Sequence, residues 1–201
     1  HLTDMAVPTI ALPSTAGGPV NLAETASMRT VVYIYPRTGQ PGRPGPLGWD
    51  DIPGARGCTP QSWAFRDHHA ELGALGAEVY GLSTQTTDYQ QEMAERLHLP
   101  FPVLSDSALT FAHALDLPQF QWDGKTLIKR LTLVLRDGRI EHVFYPVFPP
   151  DKNAETVIAW LTAYDGAALA RQIDERRTVE QFFADATVNP HVDRITGVVC
   201  G

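Results

Sequence analysis

Apolar residues fall along this chain in two rhythms, and the alternation between them outlines its elements. Residues 30–35 (TVVYIY) and 78–83 (EVYGLS) are short runs rich in β-branched and aromatic side chains with no polar face, the pattern of strands buried on both sides. Helical spacing appears at Trp63, Ala64 and Leu72, which predicts a helix from residue 58 to about 75, and at Tyr89, Met93 and Leu97 within 87–97. A short apolar piece (PFPVLSD) precedes another helix over 108–115, and Val157, Ile158, Trp160 and Leu161 form a last apolar face behind Asp151 or Asn153, either of which can cap it. Residues 6–22 alternate apolar and polar around Gly17-Gly18, as an edge hairpin would. Two strands, 127–135 and 140–148, flank the hairpin signal Asp137-Gly138.

Strand, helix, strand, helix, strand, strand, helix is the order of an α/β fold, a thioredoxin-like mixed sheet flanked by helices over residues 1–165. Asp165-Gly166 breaks the pattern. Residues 166–201 read as a C-terminal helical extension and tail, with a capping-box signature from Thr178 to Gln181. With 43% hydrophobic residues, 201 positions are enough for one well-cored domain plus such an appendage. A net charge of −7 with scattered Lys and Arg gives no footprint for nucleic acid or an anionic membrane, and no apolar run is long enough to span a bilayer. No basic start followed by an apolar stretch marks a secretory leader. The two cysteines, 142 positions apart, make no disulfide framework, so a cytoplasmic location is expected.

Between the first strand and the first helix the chain spends 21 residues, 37–57, on a loop holding six Gly and four Pro. Loops of that length inside a compact domain are usually functional or disordered. The loop delivers Cys58 to a helix start, with Thr59 as an acceptable N-cap and Pro60 suited to the first helical position. Unpaired backbone N–H groups and the positive end of the helix dipole favour thiolate there, and the thiolate is the nucleophile. The competing reading is a small buried hydrophobe. Pro60 and Gln61 follow where a CxxC would need its second cysteine, which argues against a dithiol exchange centre. His68 and His69 are neighbours on a helix, point to different sides and make a poor metal pair with Cys58; they read as exposed side chains. Arg66-Asp67 reads as a salt-linked surface pair, and Phe120, Trp122 and Phe148 as packing or pocket-rim residues.

Several collinear motifs, VPTIALPSTAGGPVNL, VVYIYP, GCTPQSWAFRD, GLSTQTTDYQQEMAERLHLPFPVLSD and KRLTLVLRDGRIEHVFYP, resemble the peroxiredoxins, nearest to the peroxiredoxin Q or bacterioferritin-comigratory-protein type, over residues 6–161. The resemblance implies that Cys58 is the peroxidatic cysteine, that Pro36 shields it, and that Arg130 is the strand arginine beside the thiolate. Gln61 falls where the family has Glu or Gln. Taken without that company, Arg130 reads as a solvated strand residue. The family's proline stands seven residues before the cysteine and its hydroxyl three before; here Pro36 stands 22 before and Ala55 holds the hydroxyl position. The loop thus resembles an insertion of 15 residues (22 − 7), with Thr38 or Thr59 as stand-ins for the hydroxyl.

What the resemblance implies is a thiol-dependent peroxidase that reduces hydrogen peroxide or organic hydroperoxides, an oxidoreductase needing no metal or organic cofactor. Trp63 occupies the usual position of a nearby resolving cysteine, which leaves Cys200 as the internal candidate or an incidental tail cysteine. An external thiol reductant, thioredoxin-like or of low molecular weight, is the other route, and the extension leaves room for a homodimer. The alternative is a catalytically weak thioredoxin-fold redox sensor or partner-binding module, supported by the long loop and Ala55.

Overall fold

A computed structural model describes residues 1–25, 27–42 and 48–162. The expected extension and Cys200 lie outside the described residues. The centre is a five-stranded mixed sheet of β3 (Arg29–Ile34), β4 (Ala77–Ser83), β5 (Val103–Ser105), β8 (Leu131–Arg136) and β9 (Arg139–Phe144), in the order β5-β4-β3-β8-β9. β3, β4 and β5 run parallel; β8 is antiparallel to β3 and to β9. The expected hairpin near the N-terminus exists as β1 (Ala11–Leu12) and β2 (Val20–Asn21), and the Pro13 to Thr15 backbone hydrogen-bonds along the outer edge of β5.

Because strand side chains alternate faces, β3 feeds two cores. Val32 and Ile34 pack with Leu82, Leu104, Leu133 and Phe111 of α4 (Thr110–Ala114). Val31, Tyr33 and Tyr35 pack on the opposite side, under α1 (Cys58–Asp67), α2 (His69–Ala74), α3 (Thr87–Leu97) and α5 (Asn153–Leu161). Burial on both sides is why the strand carries no polar face. Tyr33 stacks on Phe65 of α1, centroids 4.5 Å apart, and pins the cysteine helix to the middle of the sheet. Losing an aromatic ring from such a core costs about 3–5 kcal/mol.

The structure corrects several expectations. One long helix after residue 58 is two, because the chain turns at His68 between α1 and α2. The single strand over 127–135 is interrupted at Lys129-Arg130: β7 (Lys125–Ile128) pairs with β6 (Gln119–Trp122) in a separate hairpin, and β8 starts at Leu131. Its turn, Asp123-Gly124, has φ of 48° and 68° at the two positions, the left-handed backbone that Asp-Gly favours. Thr59 does not cap α1. Gly57 does, with φ of 95°, and Cys58 is the first helical residue, Pro60 the third. Pro60 is tolerated there because a first-turn N–H has no partner within the helix anyway. Nor does Asp151 or Asn153 cap α5, whose N-cap is Lys152 without a side-chain bond.

Candidate active site

Gly57 sets the approach of the loop to α1. Its left-handed backbone favours glycine, and a Cβ added there would stand 2.3 Å from Cγ of Pro150, in the 3₁₀ turn before α5. This turn leaves Cys58 buried, with 5% of its surface exposed, at the N-terminus of a ten-residue helix.

Arg130 reaches the sulfur from the interruption between β7 and β8 rather than from within a strand, and it is buried, not solvated. Its Nη2 donates to Cys58 Sγ at 3.2 Å and to the carbonyl oxygens of Arg56 (2.8 Å), Gly54 (3.3 Å) and Ala55 (3.3 Å). The Cys58 thiol lies 3.5 Å from the same Ala55 carbonyl. Nη1 donates to Oε1 of Gln61, one turn into α1. Among the described residues no carboxylate pairs with this buried guanidinium. Its charge is compensated by carbonyl dipoles, and a deprotonated Cys58 sulfur would balance it in full.

Behind this layer, Gln61 Nε2 donates to Asn153 Oδ1 (2.9 Å), and the Thr132 hydroxyl of β8 donates to the same oxygen (2.7 Å). All three are fully or almost fully buried. The direction of every bond follows from the arginine, which has only donors: Gln61 must offer Oε1 to it and Nε2 onward, so Asn153 must accept. Asn153 and Thr132 are not singled out by the sequence. The only signal is an Asn at a predicted helix start, which reads as a cap.

A second connection runs from the cysteine into the core. Ser62 Oγ donates to the Cys58 carbonyl (3.1 Å), and the Tyr33 phenol donates to Ser62 (3.2 Å). Burial above all pushes the Tyr33 and Tyr35 phenols up. At Tyr35 the neighbouring Tyr33 phenol adds most to the rise after burial.

The structure therefore brings together Cys58, Arg130 and Gln61. Pro36 is buried at the end of β3, following Tyr35, which shares a core cluster with Cys58. Thr38, a stand-in for the missing hydroxyl, is committed elsewhere: its N–H and hydroxyl both donate to Gln85 Oε1 (2.9 and 3.1 Å). Arg66 and Asp67 form the expected surface pair at 2.8 Å, and His68 bonds Glu71 at 2.9 Å. Phe148 is exposed, whereas Phe120 and Trp122 pack against Trp49 of the long loop. Among the described residues no group of three His, Cys, Asp or Glu is placed to hold a metal, and no helix is long and apolar enough to cross a membrane.

The Redoxin family matches residues 2–158. Peroxiredoxin Bcp of Escherichia coli is 31% identical over 158 residues, covering 77% of this chain and 91% of that protein. The chain belongs to the peroxiredoxin family. Chloroplastic peroxiredoxin Q of Sedum lineare is 30% identical over 155 residues, covering 77% of this chain and 74% of its own length. Among solved structures, peroxidoxin BcpB of Mycobacterium tuberculosis superposes with a TM-score of 0.66 at 27% identity, over 82% of this chain and 98% of that one. Peroxiredoxin Q of Xanthomonas campestris shares the fold, with a TM-score of 0.62 at 23% identity, over 77% of this chain and 90% of its own. Residues 150–201 match a further family, described as an uncharacterized protein conserved in bacteria. Peroxiredoxins are thiol-dependent peroxidases, and this peroxiredoxin is an oxidoreductase of that class, which does not favour the reading as a weak sensor or binding module.

Proposed function

We propose that Cys58 is the peroxidatic cysteine and that Arg130, Gln61 and Pro36 complete its site. The Cys58 thiolate attacks one oxygen of a hydroperoxide, the O–O bond breaks, and the leaving oxygen takes a proton as water or an alcohol, so the sulfur is oxidised to sulfenic acid. The observation that carries this reading is the Arg130 Nη2 contact of 3.2 Å to Sγ. A guanidinium keeps its charge, so it favours the anionic sulfur and can share its remaining donors with a peroxide oxygen. Gln61 holds Nη1 and so fixes the plane of the guanidinium. Pro36, lacking an N–H and buried, shields the sulfur from water.

An external thiol, thioredoxin-like or of low molecular weight, condenses with the sulfenic acid, releasing water and leaving a mixed disulfide that a second thiol resolves. Cys200 is the internal alternative: its thiol would form a Cys58–Cys200 disulfide within or between the chains of a homodimer. Residues 166–201 form a C-terminal unit in this reading. A reducing compartment such as the cytoplasm supplies the thiols the cycle consumes. The test is rapid-mixing oxidation of the reduced protein, followed by intact mass and peptide mapping with and without dimedone. Fast second-order oxidation with a dimedone adduct on Cys58 supports the reading; slow oxidation at the rate of a free thiol refutes it. An untouched Cys200 thiol assigns reduction to an outside thiol.

A further inference from the structure

A cavity of about 480 Å³ opens where the carboxyl ends of β3, β4 and β5 meet the β6–β7 hairpin. Ligands of α/β sheets gather at that end of the strands. Two cations line it, Arg37 just after Pro36 and Lys125 at the start of β7, and among the described residues no Asp or Glu does. Arg37 lies over the rings of Trp49 and Trp122, 5.7 and 5.4 Å from their centroids, and the two rings meet edge to face at 5.1 Å. No carboxylate among the described residues pairs with Arg37 or Lys125. In a protein of net charge −7, two cations without acidic partners at one cavity are a local exception. The remaining wall is amphipathic: Tyr89, Leu109, Trp122 and Leu127 supply apolar surface.

We propose that this cavity binds a small amphipathic carboxylate, its charged group on Arg37 and its apolar body along Trp122, Leu109 and Leu127. A guanidinium lying over indole faces donates through its edge, where paired N–H groups match the two oxygens of a carboxylate. The inserted loop builds the site, because Trp49 comes from it and clamps Arg37 against the hairpin. Within a peroxidase cycle such a carboxylate would be carried by an organic hydroperoxide or by a thiol reductant, and for this source the inference rests on the proposed function.

Binding is measured without turnover, by calorimetric titration of Cys58→Ser protein with octanoate and with 1-octanol, so a failure here is separate from a failure of the peroxidase reading. Octanoate is expected to bind about tenfold or more tightly than octanol, and Arg37→Met to lose at least about tenfold in octanoate affinity, the worth of one charge-assisted contact. Lys125→Met should weaken binding less, and Arg37→Lys should recover part of it; circular dichroism confirms that each variant is folded. Equal affinity for octanoate and octanol, or Arg37→Met binding like its parent, overturns the site. With Cys58 present, octanoate should slow either oxidation by a carboxylated hydroperoxide, but not by hydrogen peroxide, or reduction by a carboxylated thiol, but not by mercaptoethanol. Whichever half-reaction slows names the source, and inhibition of neither overturns the connection to the cycle.

Discussion

The carboxamide of Gln61 donates to Asn153 across 2.9 Å, and the direction of that bond is dictated by Arg130, which can only donate. A buried amide that is free to flip would present the wrong atom to the guanidinium half the time. Asn153, itself held by Thr132, removes that freedom. Truncating Asn153 to Ala leaves the Gln61 N–H group and the Thr132 hydroxyl without their acceptor, at a cost of about 1–3 kcal/mol in stability. Asn153→Ala is expected to slow peroxide attack as well, while Asn153→Asp, which still accepts from both partners, keeps more of the rate. Denaturant titration and rapid-mixing kinetics on the two variants check this. If both slow attack equally, Asn153 has no positioning role.

Cys58→Ser should abolish peroxide reduction while leaving the fold intact, because a hydroxyl of nearly equal size is a far poorer nucleophile. A thiol-coupled peroxidase assay beside a melting curve tests both halves of the statement. Wild-type turnover in the serine variant would remove Cys58 from the role proposed for it.

Arg130→Met removes a charged donor on the sulfur and three contacts to the carbonyls of residues 54–56. A lost charge-assisted contact is worth about 1.5–3 kcal/mol, which predicts oxidation slower by about one to two orders of magnitude. The second-order rate constant from rapid mixing is the readout, and a rate within about twofold of wild type would confine Arg130 to bracing the loop.

Gly57→Ala meets two obstacles, a φ of 95° and Pro150 2.3 Å from the new Cβ. The left-handed backbone alone costs about 1–2 kcal/mol for a residue with a side chain. The clash adds to it, because a proline ring cannot rotate aside. The variant should therefore be destabilised by more than that and should react more slowly with peroxide, since Gly57 joins the loop carbonyls to the first residue of α1. A denaturation midpoint equal to wild type would contradict this account of the turn.

Acid should weaken the fold in two steps. His142 stacks on Trp160 of α5, centroids 4.7 Å apart, and burial lowers it from 6.5 despite the nearby charge of Glu141. A lowered value means the unfolded chain takes the proton more readily, so this contribution is complete above 6.5 and is lost as pH falls below it. For Glu141, burial acts upward, but the two bonds from Arg29 (2.6 and 2.9 Å) and its charge outweigh burial and lower it from 4.5. Its contribution is present above 4.5 and disappears below. Denaturation midpoints across pH should lose the first step in His142→Phe and the second in Glu141→Gln. A profile unchanged by either substitution would show that other groups govern acid stability.

Much of this protein is written in local pattern. A strand such as β3 that feeds two cores must be apolar at every position, and α3 shows its buried stripe directly, so both are legible in the amino-acid order alone. Cys58 is legible too, because a glycine-rich loop running into a proline-bearing helix start is a local event. The hairpin of β6 and β7 is written in Asp123-Gly124 but hidden under the longer apolar run that follows, which reads as one strand unless its pairing partners are known. What local pattern cannot supply is the convergence of side chains far apart in sequence. Arg130 bonds Cys58 across 72 positions and Gln61 bonds Asn153 across 92, and no periodicity within a segment encodes a contact of that range. The same holds for the reassignment of Asn153 from helix cap to acceptor. Its carboxamide has two uses, and only the packing of α5 against α1 and β8 decides between them, because a buried guanidinium with no carboxylate partner among the described residues leaves its neighbours one way to arrange their donors.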